Sequence, residues 1–360
     1  MNPENSNGIQ EASSERMKSL EPPYKPSWID LFNRWVEELP VNVWVFHLLF
    51  GIMLILIQLL FLWIDDGLHA GELLPIIIFN GLATPFLLAL IYQLDKQALA
   101  ALNSMHPALE VTAPEFSDYQ YKLSTMPLLA PLVAGLVLMI STILTPQVAV
   151  SPVRYAALEQ MPVFSVVFHI IDKSSAFLFG VVLYHIIRQL RMVNFINSNH
   201  VRVNLFHLGP LQAFSSLTAS TAIAMLVFVY TWMLINPELL ADPVLIGYVT
   251  IFSLIAISIF VWPLWGVHKV IDSEKNKALH EISLRFEAVL SKFNQSMDDE
   301  DYAATDKLHG TISSLEIQHK RIRAVSTWPW RSETARLGLT AIALPLMLMI
   351  IQYFILQALG

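Results

Sequence analysis

Residues Met161–Leu190 read MPVFSVVFHIIDKSSAFLFGVVLYHIIRQL, and this stretch decides the fold. It is apolar, and it exceeds the length of about 20 residues that a helix needs to cross a bilayer. Asp172 and Lys173 nevertheless lie close to its middle. Because a charge at that depth costs roughly 2.5–3.5 kcal/mol on insertion scales, neighbouring groups or water must compensate both side chains.

The composition of the whole chain is that of a membrane protein. Of its 360 residues, 55% are hydrophobic and only 14% are charged, whereas soluble domains carry about 25% charged residues. Cysteine is absent, which excludes disulfides, cysteine nucleophiles and thiolate metal sites. Residues 1–41 contain no secretory signal, so the first span is expected to direct its own insertion.

Seven apolar stretches predict an all-α, polytopic membrane protein with about seven transmembrane helices. Residues 42–267 are expected to hold six of these helices and residues 334–360 the seventh. The third stretch is the shortest. The predicted spans are roughly Val43–Ile64, Leu73–Leu94, Leu128–Leu144, Val163–Ile187, Ala213–Ile235, Val244–Val267 and Leu337–Leu356.

The positive charges predict the orientation of these spans. Four segments on one side of the membrane, 1–41, 95–127, 188–212 and 268–336, hold 4, 2, 3 and 11 Lys and Arg residues. These are 20 of the 22 in the chain. By the positive-inside rule, the N-terminus is predicted to be cytoplasmic and the C-terminus to lie outside.

The N-terminal segment is expected to be disordered over residues 1–26 and then to form a short helix over 27–39. Ser27 is the predicted N-cap, with Asp30 in the first turn. Two interpretations remain open, a helix lying in the membrane interface and one packed against the protein's own cytoplasmic part. The predicted apolar face consists of Trp28, Leu31, Phe32, Trp35 and Val36.

A cytoplasmic antiparallel helical hairpin is predicted between the sixth and seventh spans, within residues 268–333. Apolar residues repeat at helical spacing in Lys269–Phe293 and again in Tyr302–Val325, which indicates a short coiled-coil seam. The hairpin is expected to continue the sixth span inward. It could join subunits, bind a cytoplasmic protein partner or only brace the spans. The Trp328-Pro329-Trp330 corner that follows is predicted to anchor the chain at the membrane interface.

The candidate site lies on the fourth span, at His169, Asp172 and Lys173. His169 and Asp172 are three residues apart and share a helix face. The adjacent side chains of Asp172 and Lys173 diverge by about 100° around the helix, so they are not well placed to pair within it, although they can approach if one bends. Intramembrane ionisable groups usually mark an ion or proton site, or the wall of a hydrated cavity, and histidine exchanges protons in the physiological pH range. The alternative is a structural cluster in which these groups only satisfy one another.

Other polar residues in the spans are candidates for lining a pathway or for packing, namely Asn80, Ser216, Ser220 and Gln352. The small residues of the fifth span favour close packing of helices over the lining of a pore. If the charges at 172 and 173 lack partners within one copy, pairing across a two-fold axis would make the protein a homo-oligomer.

Three classes of function follow. The first is an oligomeric ion channel, or a small-solute or proton-linked transporter, with its ionisable site on the fourth span. The second is a signalling or scaffold protein that acts through the hairpin. An enzyme is least favoured, because an active site needs more converging polar groups.

The remaining expectations concern ligands and location. We assign no cofactor and no metal, and no nucleic acid, because the chain carries no phosphate-binding loop, zinc motif or basic stripe with aromatic residues. The expected partner is the lipid bilayer. The absence of cysteine and of trafficking signals favours a bacterial cytoplasmic membrane as the location.

Overall fold

The computed structural model describes residues 22–65, 71–144, 158–200, 213–235 and 243–328, together with the single positions 156, 205, 340 and 347. These residues are almost entirely helical and none of them belongs to a strand, which confirms the predicted all-α fold class. Residues 1–21 and all but two positions of the predicted seventh span lie outside the described residues.

The described residues form nine α-helices, and short 3₁₀ turns at Gly71–Leu73 and His106–Ala108 flank the third. The helices are α1 Trp28–Glu38, α2 Val43–Ile64, α3 Leu74–Met105, α4 Ala113–Ser124, α5 Leu129–Leu144, α6 Pro162–Asn199, α7 Ala213–Ile235, α8 Pro243–Asp298 and α9 Tyr302–Arg323.

Four of these helices are long and apolar enough to cross a membrane, judged by length and composition. They are Val43–Ile64, Leu74–Ala108, Pro162–Asn199 and Phe214–Ile235, which correspond to α2, α3, α6 and α7. Helix α5 is equally apolar but has only 16 residues. The described residues therefore support four candidate spans, against the seven that the sequence predicts.

The outer faces of the apolar helices carry large exposed hydrophobic side chains. Leu56 of α2 is 60% exposed and Val137 of α5 is 64% exposed. Only 22% of the most apolar window of α2 is buried. Contiguous apolar surface of this size causes association in water, and it is typical of helices that face lipid.

Helix α6, which contains the stretch that opens the sequence analysis, lies at the centre of the bundle. It packs against α2, α3, α5 and α8. At Gly180 the contact with α5 is so close that an added Cβ would lie 2.5 Å from the carbonyl oxygen of Ala134. Small residues allow this approach because no side chain separates the backbones.

The small residues of α7 serve packing, as the sequence favours. Ser215, Ala219 and Ala222 are buried, and α7 packs against α3 and α8. Thr218 and Thr221 donate hydrogen bonds to carbonyls of their own helix. Their hydroxyl groups are therefore satisfied without a polar partner from another helix.

Helix α1 begins as predicted. Ser27 and Asp30 form a capping box, in which the Ser27 hydroxyl accepts from the Asp30 amide and the Ser27 amide donates to Asp30 Oδ2. Of the predicted apolar face, Val36 is buried while Trp28 and Trp35 are exposed, and the polar residues Asp30 and Asn33 are buried. One face of α1 thus packs on the bundle, and the other presents tryptophans to the surroundings.

Residues 22–26 precede α1 and are held in place, contrary to the disorder predicted for residues 1–26. The Tyr24 hydroxyl donates to the Thr125 carbonyl at 2.8 Å, and the Tyr121 hydroxyl donates to the Tyr24 carbonyl at 2.6 Å. Pro26 forms a backbone bridge with Pro127. The ordering arises from tertiary contacts, which composition does not reveal.

Helix α8 continues far beyond the predicted sixth span. Its 56 residues form one helix, about 84 Å long at about 1.5 Å per residue. Helix α9 runs back along it, since Lys275 Nζ donates to the carbonyls of Arg323 and Val325 at 2.8 and 2.7 Å. We refer to residues 268–325 as the arm. Its seam buries Ile282, Leu315 and Ile322 together.

Candidate functional site

Asp172 and Lys173, the charges predicted at bilayer depth, form an ion pair within α6. Lys173 Nζ lies 2.9 Å from Asp172 Oδ2, and the side chains are 20% and 25% exposed. The adjacent side chains pair although their directions around the helix diverge, because the long lysine side chain bends back to its neighbour. Lys173 also donates to the Thr142 carbonyl at 3.4 Å. This carbonyl belongs to the last turn of α5, where carbonyls lack a partner within the helix.

His169 lies one turn before this pair and is half-buried. Its ring meets the ring of Phe168 edge to face, with the centroids 5.7 Å apart. The charges of Asp172 and Lys173 both act on its imidazole. The structure therefore brings the three predicted site residues together on one side of α6.

Asn80 is buried and bonds elsewhere than to the charged pair. Its amide Nδ2 donates to Gln58 Oε1 and to the Phe168 carbonyl, each at 3.2 Å. Gln58 is fully buried and donates in turn to the carbonyls of Leu54 and Ile77. These amides join α2, α3 and α6 by neutral hydrogen bonds.

The other predicted polar residues do not converge on one site. The Ser220 hydroxyl lies 2.5 Å from Gln97 Oε1 on α3, whereas Ser216 is exposed on α7. Gln352 lies outside the described residues. These side chains do not extend the cluster at His169, Asp172 and Lys173 within the part of the chain that is described.

A second polar cluster lies where α3 and α6 meet, and sequence reasoning missed it. His185 Nε2 lies 2.9 Å from Asp95 Oδ1, with the imidazole fully buried and the carboxylate side chain 14% exposed. Gln189, one turn further along α6, donates its amide to Asp95 Oδ1 at 3.2 Å and to the Leu123 carbonyl at 2.9 Å. Both ring nitrogens of His185 are buried without a well-aligned hydrogen bond among the described residues, so the contact of Nε2 with Asp95 is close but not well directed. Native proteins rarely leave such a group unpaired.

This arrangement has a definite chemical capacity. A carboxylate and an imidazole both take up and release protons, and when they lie this close together the uptake of one proton changes the total charge of the pair by one. Burial strengthens the electrostatic consequences of that change, because the surroundings have a low dielectric constant. The Asp95–His185 pair is therefore suited to bind and release a proton.

The guanidinium group of Arg188 lies beside this cluster, on the side of α1. Arg188 Nη2 donates to the Tyr24 hydroxyl and to the Lys122 carbonyl. Burial raises the pKa of Tyr24 to about 12, although Arg188 opposes this shift. The phenol thus stays neutral and donates to Thr125. Next to it, Asp30 Oδ2 accepts from the Met126 amide at 3.0 Å.

Two features of the sequence could have revealed the Asp95–His185 cluster. Asp95 is the first residue after the predicted second span, yet no Gly or Pro interrupts the chain between it and Pro107. The helix therefore continues past it, and Asp95 is not a loop residue. His185 and Gln189 are four apart on the fourth span and share a face. Asp95 thus lies in the same continuous helix as the predicted second span, one residue beyond the end of that span.

The described residues thus form an all-helical protein with four candidate membrane-spanning helices. A buried acid–imidazole pair, Asp95 and His185, lies between two of them. No protein-family model, no curated protein and no solved structure matches the chain.

Proposed function

We propose that the chain is a multi-pass membrane transport protein, a channel or proton-linked transporter, in which Asp95 and His185 bind the proton. The observation that carries this proposal is the 2.9 Å contact between His185 Nε2 and Asp95 Oδ1. An ionisable pair buried between two apolar helices is costly, and in membrane proteins such groups mark ion and proton pathways.

The proposed topology has seven spans with the N-terminus in the cytoplasm. Contacts at opposite ends of the bundle support an alternating order of the helices. At one end, the amide of Phe164 at the start of α6 donates to Asp65 Oδ2 at the end of α2, at 2.7 Å. At the other end, Lys96 of α3 pairs with Glu37 of α1 at 2.6 Å. The lysine-rich and arginine-rich segments belong to this second end, which we assign to the cytoplasm.

Two hydroxyl groups extend the proposed proton path along the contact between α3 and α6. Thr84 Oγ1 and Ser175 Oγ lie 2.9 Å apart between α3 and α6, and either can donate. They are about three turns from the Asp95–His185 pair along each helix. We assign Asp172 and Lys173 a structural role instead, because they pair with each other and Lys173 also donates to the Thr142 carbonyl at the end of α5. That assignment also removes the reason for predicting a homo-oligomer, which stays a prediction without this support.

The test is proton flux in proteoliposomes that contain a trapped pH-sensitive dye. Asp95→Asn keeps the shape of the side chain but cannot lose a proton, and His185→Gln removes the imidazole. Both variants are expected to lose most of the flux of the unaltered protein. Asp172→Asn is the matched control, since it neutralises an acid that we place outside the pathway, and it is expected to retain flux.

Each variant is first checked by gel filtration and by its unfolding temperature, so that a misfolded protein is not counted as an inactive one. Folded Asp95→Asn protein with unchanged flux would overturn the proposed role of Asp95. Loss of flux in Asp172→Asn alone would return the site to His169, Asp172 and Lys173. An unaltered protein that passes no protons under an imposed gradient would refute proton transport.

The topology has its own experiment. Because the chain has no cysteine, a single introduced cysteine is the only thiol to label. A membrane-impermeant maleimide is expected to label Gln160→Cys in intact cells and Ser283→Cys only after permeabilisation. The reverse pattern would invert the topology, whatever the outcome of the flux assay.

A second function, signalling through the arm, is favoured by the continuity of α8. One helix joins the membrane part to the seam of the arm without interruption, so a change in packing at Ile282 has a rigid path to the bundle. Opening the seam with Ile282→Asp is then expected to change the maleimide labelling rate of Gln160→Cys. Leu284→Asp, at an exposed position on the same helix, is the control. Equal labelling rates in the two variants would exclude this coupling.

A further inference from the structure

A groove of about 470 Å³ opens on α6 just beyond the predicted end of the fourth span at Ile187. Its described lining residues recur at intervals of three and four and so share one face of α6. They combine two guanidinium groups with apolar and aromatic side chains, and none of them is a carboxylate. They are Tyr184, Ile187, Arg188, Arg191, Met192 and Phe195.

The two arginines of the groove have spare hydrogen-bonding capacity. Arg188 uses Nη2 on Tyr24 and Lys122, while its Nη1 has no acceptor among the described residues. Arg191 is exposed and makes no hydrogen bond or ion pair with another residue in the described part of the chain. A guanidinium group presents a planar set of donors that matches the oxygens of a phosphate. The groove is therefore positively charged where its arginines lie, and Arg191 has no acidic partner among the described residues.

The apolar part of the groove is exposed beside these charges. Ile187 is 39% exposed and Phe195 is 49% exposed. Tyr184 and Ile187 lie toward the apolar middle of α6, and Arg188 and Arg191 follow at the end of its apolar segment. Met192 and Phe195 lie beyond the arginines, so the groove is apolar, then cationic, then apolar again along α6. The first two parts match the order of acyl chain and phosphate in a phospholipid that stands beside the helix.

We propose that this groove binds an anionic phospholipid of the cytoplasmic leaflet, with the phosphate at Arg191 and Arg188 and an acyl chain along Ile187 and Tyr184. Basic pockets between helices on the cytoplasmic side are known to hold anionic head groups. The inference rests on the proposed topology, which puts this end of α6 at the inner interface. It is independent of proton transport. The maleimide experiment tests that topology separately, so a wrong topology can be distinguished from a wrong lipid site.

The test uses the full-length protein in a neutral detergent and follows its unfolding temperature during lipid titration. Dioctanoyl phosphatidylglycerol is expected to raise the unfolding temperature to a plateau, and dioctanoyl phosphatidylcholine is expected to have little effect. Arg191→Gln is expected to weaken the apparent affinity by about fivefold or more, the usual effect of one basic residue near a membrane surface. Arg191→Lys keeps the charge but not the planar fork, so an intermediate affinity is expected.

Arg34→Gln is the matched control. It removes the same charge from an exposed position on α1, at the same end of the bundle, and the affinity is expected to stay unchanged. An equal loss in Arg34→Gln and Arg191→Gln would show diffuse attraction to anionic lipid and overturn the site. Equal shifts with both lipids would exclude head-group recognition. The same shift with inorganic phosphate alone would replace the lipid with a soluble anion.

Discussion

Gly180→Ala tests the close approach of α5 and α6, on which the central position of α6 depends. An added Cβ at Gly180 would lie 2.5 Å from the carbonyl oxygen of Ala134 and 3.0 Å from the Cα of Gly135. Both neighbours are backbone atoms, which cannot rotate away as a side chain would. The methyl group can therefore be accommodated only if the two helices separate.

The magnitude follows from two opposing contributions. Alanine favours the helix over glycine by about 1 kcal/mol, and overpacking of a tight contact costs about 1–3 kcal/mol. Gly310 of α9 supplies the matched control, because nothing lies within 4 Å of a Cβ added there. Gly310→Ala thus carries only the first contribution and is expected to be stabilising. The difference between the two variants, about 1–3 kcal/mol, is the cost of separating α5 from α6.

The assay is thermal or denaturant unfolding of both variants in the same detergent, followed by the circular dichroism of the helices. Gly180→Ala is expected to unfold at a lower temperature than Gly310→Ala, and a larger side chain at Gly180 should lower it further. If Gly180→Ala matched or exceeded Gly310→Ala, the backbone contact at Ala134 would be absent and the reasoning refuted.

Three further predictions concern the polar contacts. Asp30→Ala removes a buried carboxylate that accepts three hydrogen bonds, and it should lower the free energy of unfolding by about 2–4 kcal/mol. Glu38→Ala, at an exposed position on the same helix, should have almost no effect. Since the pKa of Tyr24 is raised to about 12 from 10.0, its contribution to the free energy of unfolding is complete below pH 10 and is lost as the pH rises toward 12. Tyr24→Phe should therefore flatten the fall in unfolding temperature over that interval. An unchanged slope would contradict this prediction. Asp172→Asn and Lys173→Met should each destabilise by up to about 3 kcal/mol, while the double variant should lose less than either single one; losses that simply add would show that the charges do not interact.

The apolar helices could be predicted from the sequence because their signal is local. The predicted first and fifth spans have the bounds of α2 and α7, and the third differs from α5 by one residue. The C-terminal ends of α3 and α6 do not follow from hydropathy, since both helices continue for more than two turns beyond the predicted spans. Hydropathy marks where a helix ceases to be apolar, and only helix-ending residues mark where it stops.

The Asp95–His185 pair could not be predicted as a pair, because the contact depends on how two helices distant in sequence are placed against each other. The same holds for Asp30, whose capping role was predicted but whose bond to the Met126 amide joins residues that are 96 positions apart. The pairing of Asp172 with Lys173 was not predicted for a different reason. Their directions around the helix were judged correctly, but the flexibility of the lysine side chain outweighed the angle between them.

Arg188 contacts Tyr24, which holds α1 in place, and it also interacts with Asp95 of the proposed proton site. This affects how the flux experiment is interpreted. The charge of Asp95 is attracted to Arg188 and repelled by Asp30. Asp95→Asn removes both the attraction to Arg188 and the repulsion by Asp30, and it leaves the three hydrogen bonds of Asp30 and the contacts of Tyr24 in place. Helix α1 should therefore stay attached in this variant. A loss of proton flux in folded Asp95→Asn protein would then reflect the missing proton site, because the position of α1 has no reason to change.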